Sequence, residues 1–143
     1  MFSKEEAAKI KKEFWTSFGK SFPKKWILYD TKIKDFAFKF YCDNKKAEVS
    51  IDIEMKDEIF RNAYYEKLWS LESILEEELK CKVFKDEFYT LENGKIISRF
   101  WVEKQNVSIF NKNTWQEIFE FFLEKMSAFE VVYYEYEEFI KDV

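Results

Sequence analysis

Histidine does not occur in these 143 residues. Its absence removes Ser–His and Cys–His nucleophile pairs, imidazole bases and most zinc sites. An enzyme built from this chain would depend on carboxylates, lysine, tyrosine or a metal held by oxygen ligands. Glycine occurs twice and proline once, so long elements and few loops are expected. Cys42 and Cys81 lack the C-x-x-C spacing of a metal or redox site; a chain with reduced, packed thiols in the cytoplasm is expected. No apolar run approaches the ~20 residues a membrane span needs. The N-terminus, MFSKEEAAKIKKEF, reads as an amphipathic helix rather than a signal peptide.

Aromatic residues, by contrast, make up 21% of the chain, with seventeen Phe. This supplies a large core for one domain covering residues 1–143. Charge is abundant and unevenly placed. Residues 1–46 hold 12 Lys against 6 acids, a net +6, while the whole chain is at −4, which leaves −10 for residues 47–143. A basic third binds polyanions weakly if its lysines gather on one face, and otherwise only solubilises a Phe-rich chain.

Ser3 and Glu6 have capping-box spacing, and Ala7, Ile10, Phe14 and Phe18 follow on one helical face. A short strand is predicted over Trp26–Tyr29. DFAFKFYCD and AEVSIDIEMK alternate as a hairpin with one apolar and one polar face. Residues 57–80 read as one long helix with the stripe Phe60, Tyr64, Leu68, Leu71, Leu75 and Leu79. VFKDEFYTL, the turn ENGK and IISRFWVEK form a second hairpin. A capping box at Thr114–Glu117 then opens a helix whose Trp115, Phe119, Phe122, Met126, Phe129, Tyr133, Tyr136 and Ile140 step by fours and threes. The seam is read as internal; a dimer through it is the alternative.

The fold expected is α+β: helix–hairpin–helix–hairpin–helix, with an antiparallel sheet of four or five strands and long helices mainly on one face. Residues 36–80 and 88–140 form two loose copies of hairpin-then-helix. The sheet's other face would stay open or be partly covered by the N-terminal helix.

Several of these stretches together resemble one family. GKSFPKKWILYDTKIKDFAFKFYCDNKKAEVSIDIE, LESILEEEL, KIISRFWVE and WQEIFEFFLEKMSAFEVVY are similar to the Domain of Unknown Function 4268 family over roughly residues 3 to 140. The resemblance implies a bacterial, cytoplasmic module associated with nucleic acid, since relatives stand alone or behind a nuclease-like domain. It implies no reaction. Ser98-Arg99 matches a Ser-Arg pair of the family, whereas Glu54-Met55-Lys56 matches nothing in it.

That triplet is the one nuclease-like feature. In a PD-(D/E)xK reading, two carboxylates hold Mg²⁺ and a lysine orients the attacking water. Asp43 lies in the hairpin turn, ~30 Å from Glu54 at ~3.3 Å per residue, so Asp35 is the partner that could serve. Asp35, Glu54 and Lys56 are the candidate set for this alternative. The preferred expectation is a non-catalytic interaction or accessory module linked to nucleic-acid processing, with neither metal nor cofactor. Lys39, Tyr41, Arg99 and Trp101 would bind from the polar strand face, and the basic first third would add weak nucleic-acid affinity. A third reading is an acidic regulatory protein that dimerises through the last helix.

Overall fold

The computed structural model describes residues 2–143. Helix α1 (Lys4–Ser21) opens on the expected capping box: the Ser3 hydroxyl accepts from the Glu6 amide at 3.1 Å and the Ser3 amide donates back to the Glu6 carboxylate at 3.2 Å. Strands β1 (Phe36–Cys42) and β2 (Lys46–Ile53) form the first hairpin, followed by α2 (Glu58–Ser70) and α3 (Glu72–Leu79). Strands β3 (Phe84–Thr90) and β4 (Ile96–Gln105) form the second, followed by α4 (Trp115–Glu135) and α5 (Glu137–Lys141). The strands make one four-stranded antiparallel sheet in the order β1-β2-β4-β3. Hairpin, helix, helix therefore occurs twice, and the second strands of the two hairpins lie side by side at the sheet's centre.

One face of the sheet is apolar because each strand alternates. Phe36, Phe38, Val49, Ile51, Ile53, Phe100 and Val102 lie on it, each at most 2% exposed. Helix α4 covers this face: Phe40 meets Phe122 at 4.8 Å between ring centroids, and Phe38 meets Tyr133 at 5.4 Å. The four-three seam holds as an internal core. Trp115, Phe119, Phe122, Met126, Phe129, Tyr133 and Ile140 are all buried, and only Tyr136 is half-buried. Helix α1 lies on the flank of α4, with Phe14 against Trp115 and Phe119 and Phe18 against Phe40. It therefore joins the apolar side and leaves the polar face of the sheet uncovered.

Five local expectations are corrected. Trp26–Tyr29 is not a strand: Leu28 has φ 41° and turns the chain, although its carbonyl still accepts from the Phe38 amide at 3.0 Å. Residues 57–80 are two helices. At Leu71 the backbone leaves helical geometry (φ −97°, ψ 7°), next to Ser70, whose hydroxyl donates to the Lys67 carbonyl and so competes with the helical ladder. The buried face of α2 is also rotated from the expected stripe. Phe60 is 55% exposed and Tyr64 half-buried, while Arg61 and Tyr65 are buried. Arg61 gains its place by donating to the Met55 carbonyl at 3.1 Å, tying α2 to the end of β2. Thr114 forms no capping box. A 3₁₀ turn (Lys112–Thr114) runs straight into α4, so the Thr114 hydroxyl faces backwards and donates to Asn111 and Ser108 carbonyls. The terminal helix is likewise broken at Tyr136 (φ −110°), which lets α5 pack on α2.

Phe122 and Phe129 are fully buried at the centre of the seam. Truncating either to Ala should cost ~3–5 kcal/mol of unfolding free energy, read from denaturant titration. Light scattering should return the mass of one chain, with a melting midpoint independent of protein concentration, because the seam is filled from within. A midpoint rising with concentration would mark the dimeric seam instead.

Candidate functional site: the uncovered face of the sheet

The polar face is built around Asp52, a carboxylate with 0% exposure on central strand β2. Its cross-strand partner on β4 is Arg99. The pairing is bidentate: Arg99 Nε to Asp52 Oδ1 and Nη2 to Oδ2, both at 2.8 Å. Lys39 on β1 adds a contact to Asp52 at 3.5 Å and a shorter one to Glu54 at 2.7 Å. Lys95, at the start of the β4 approach, reaches the other Glu54 oxygen at 3.3 Å. Glu48, also buried, is held by Lys46 at 3.0 Å. Asp52, Glu54 and Glu48 thus each have a cationic partner, which is the condition for keeping a charge out of water, while Glu103, directly across from Glu48, is held by neutral donors instead.

Titration follows from these contacts. Burial alone would raise the Glu54 pKa, but the hydrogen bonds and charges of Lys39 and Lys95 outweigh it and hold the carboxyl below its ordinary value. Burial would lower Lys39 in turn, and the Glu54 bond with the Asp52 and Glu54 charges keeps it raised. Arg99 is raised against its own desolvation by the Asp52 bond. Cys42 lies beneath the β1 edge, and burial followed by the Asp43 charge pushes its thiol up to about 12, so it stays protonated at neutral pH.

A β-bulge completes the face. β3 pairs in one register through Asp86↔Arg99 and in another from Tyr89↔Ile97, so Glu87 and Phe88 together oppose Ser98. The extra residue turns Tyr89 onto the same side as Arg99, where its ring lies 4.3 Å from the guanidinium carbon. Ser98 fixes the bulge by donating to the Glu87 carbonyl at 2.7 Å. Ser98-Arg99 therefore has two mechanical roles, one on each face of β4. Tyr89 and Phe84 also cover Trp101, with centroids at 5.6 Å in both cases. Trp101 is covered by its own sheet rather than by a helix, and its indole N–H donates to Glu103 at 2.9 Å.

Between the β1–β2 turn and the β3–β4 hairpin the face forms an open cleft of about 810 Å³, with Lys11, Lys39, Tyr41, Tyr89, Asn93 and Arg99 among the residues that line it. Tyr41 is 45% exposed, and its hydroxyl donates to Asp43 at 2.9 Å. Of the binding residues expected from sequence, Lys39, Tyr41 and Arg99 meet in this cleft, and Trp101 supports it from the adjoining row. Tyr89 was missed because nothing in the strand's alternation announces the bulge that turns it inward.

The nuclease set is arranged differently from its sequence reading. Asp35 does pair with Glu54 across the hairpin, but through backbone: the Glu54 amide donates to the Asp35 carbonyl at 2.7 Å. The Glu54 carboxylate is held by Lys39 and Lys95. Lys56 lies beyond the end of β2 and is exposed, so the strand's alternation does not extend to it. Asp43 accepts from the Lys45 and Lys46 amides in the turn. Among the described residues, no three His, Cys, Asp or Glu side chains converge as a metal site. Of the basic third, Lys24, Lys39 and Lys46 each pair with an acid.

Fold and site together define an α+β domain with all its helices on one side of a four-stranded antiparallel sheet and a charge-paired, aromatic face on the other. The sequence model of the domain of unknown function DUF4268 matches residues 10–137, and the chain belongs to that family. No curated protein and no solved structure matches it. Among the described residues, no helix is long and apolar enough to cross a membrane.

Removing Arg99 leaves Asp52 charged and buried without its main partner. Arg99→Ala should cost ~3–5 kcal/mol of stability, measured by urea titration, with Arg99→Lys recovering only part because the bidentate geometry is lost. Glu54 has a folded-state pKa below its ordinary 4.5. Its stabilisation should be complete above that value and be lost as pH falls through the lower folded value. Wild type and Glu54→Gln should therefore differ in stability at neutral pH and converge in acid.

Proposed function

We propose that this chain is a non-catalytic binding module that takes single-stranded nucleic acid across the uncovered face of its sheet. The observation that carries the reading is the cleft itself, whose walls interleave Tyr41 and Tyr89 with Lys11, Lys39, Lys46 and Arg99. Aromatic faces accept any base by stacking, and lysines track the backbone phosphates. Asp43, Glu48 and Glu92 also line the cleft, so the balance of charge supports weak, salt-sensitive binding rather than a tight polyanion grip. The carboxylates at the heart of the face, Asp52 and Glu54, are engaged in fixing Arg99 and Lys39. That engagement supports an accessory role in nucleic-acid processing rather than cleavage. We place the module in the bacterial cytoplasm as a monomer, in keeping with two free cysteines, one of them buried, and with the filled α4 seam.

Fluorescence anisotropy with a labelled single-stranded oligonucleotide tests the reading. Binding should weaken linearly in log salt, with a slope of about −0.7 per phosphate contact. Tyr41→Ala should cost ~1–3 kcal/mol of affinity, as loss of one stacking platform does, and Lys11→Ala should reduce the salt slope. An unchanged anisotropy at low salt, or affinity indifferent to both substitutions, would overturn the proposal.

A further inference from the structure

A second pocket, about 420 Å³, opens at the β1 edge of the same face and shares Lys39 with the main cleft. Its volume lies within the ~300–1,000 Å³ range of small-molecule sites. One wall is the segment 28–35 between α1 and β1; Phe36 and Ala37 on β1 line the sheet side. Tyr29 projects from the segment and is 72% exposed. Large aromatics usually find cover, and here the backbone presenting the ring is held rigidly in an unusual shape. Leu28, Lys32 and Asp35 all have positive φ, at 41°, 63° and 62°. Non-glycine residues rarely adopt such angles unless the surroundings impose them, and they concentrate at ligand sites.

The surroundings are identifiable. Buried Glu130 on α4 accepts from the Ile27 amide at 2.8 Å, and buried Tyr133 donates from its hydroxyl to the Thr31 carbonyl at 2.5 Å. Thr31, 1% exposed, donates to the Phe36 carbonyl at 2.7 Å and accepts from the Ile33 amide at 3.2 Å. The Asp35 carbonyl takes the Glu54 amide. The segment is thus fastened from the core helix and from β1 and β2, while Tyr29 is left outside. Four charged side chains line the pocket. Lys39 and Glu54 are bonded to each other at 2.7 Å, whereas Lys34 and Asp35 are exposed.

We infer that this pocket is a guanine subsite of the nucleic-acid face. A planar ring stacks on Tyr29. The exposed carboxylate of Asp35 accepts from the N1–H and N2–H groups of the base, and the ammonium of Lys34 donates to O6. Guanine is the base that offers two adjacent donors beside an acceptor on one edge, which suits a carboxylate next to a lysine; adenine offers the wrong polarity to the carboxylate at N1. The inference rests on the open-face reading, since it assigns one base position on that face.

The test is an amide chemical-shift titration of the full chain with GMP, AMP and inorganic phosphate separately, beside the oligonucleotide assay. GMP should shift residues 28–35 and Glu54 saturably. AMP should bind about 5-fold or more weakly, the discrimination of one bidentate base contact, and phosphate should leave these residues unmoved. Asp35→Asn keeps a residue that tolerates positive φ, so the fold is retained while the preference for GMP is lost. Tyr29→Ala, at an exposed position, should weaken both nucleotides. Equal shifts by GMP and AMP, the same shifts from phosphate alone, or no shift at 28–35 would overturn the subsite. Oligonucleotide binding combined with any of those results leaves the open-face reading standing without it. A GMP preference at 28–35 with no oligonucleotide binding would establish the subsite and remove the broader reading.

Discussion

Asp52 is the constraint on which the sheet's uncovered face depends. It sits on a central strand with no access to water, directly opposite Arg99, and a bare carboxylate there would be too costly to keep. The guanidinium fork satisfies both oxygens at once. Its position in turn requires β2 and β4 to pair in the observed register, because a one-residue slip would send Arg99 into the apolar core. The same pair sets what the rest of the face can be. Arg99 offers a flat cation for Tyr89 to cover, and Lys39 reaches from β1 over to Asp52 and Glu54 at the end of β2.

The alternation of the strands made most of the sheet legible. Phe36, Phe38 and Phe40 against Ala37, Lys39 and Tyr41 could face only one way once Val49, Ile51 and Ile53 demanded the same core. The seam of α4 was legible for the same reason, since six of its eight large residues lie at alternating spacings on that helix and describe one surface. What was not legible came from competition between side chain and backbone. Ser70 and Thr114 each spend a hydroxyl on a nearby carbonyl, breaking one helix and removing one cap. Arg61 took a buried place expected of Phe60 because its guanidinium found the carbonyls at the end of β2. Hydropathy has no means to register a carbonyl waiting at a strand end.

The site was legible in its residues but not in its arrangement. Lys39, Tyr41 and Arg99 are placed on the polar face by period-two counting alone. Tyr89 joins them only because of one extra residue in β3, and Ser98, the residue that fixes that bulge, is marked in sequence only by its family-like pairing with Arg99, which gives no sign of that role. The loop before β1 is a stronger case. Its aromatic and aliphatic residues suggested a strand, and three positive φ angles turn it into a bracket instead. That conformation is set by Glu130 and Tyr133, about a hundred positions away, and no local reading could supply them.

The two halves of the chain follow one plan and divide the work unequally between centre and edge. Both second strands, β2 and β4, occupy the middle of the sheet and carry the buried Asp52–Arg99 pair. The first strands of the hairpins form the two edges, and it is the edges that present surface: Tyr41 from β1, Tyr89 and Phe84 from β3. A central strand has neighbours on both sides, so its polar residues are obliged to satisfy one another. An edge strand has one free side and can carry a bulge or accept a bracketing loop without losing the ladder. Each edge here uses that freedom differently, β3 through the bulge and β1 through segment 28–35. The aromatic groups at both ends of the face are therefore held by irregular backbone, and the charged groups between them by regular pairing.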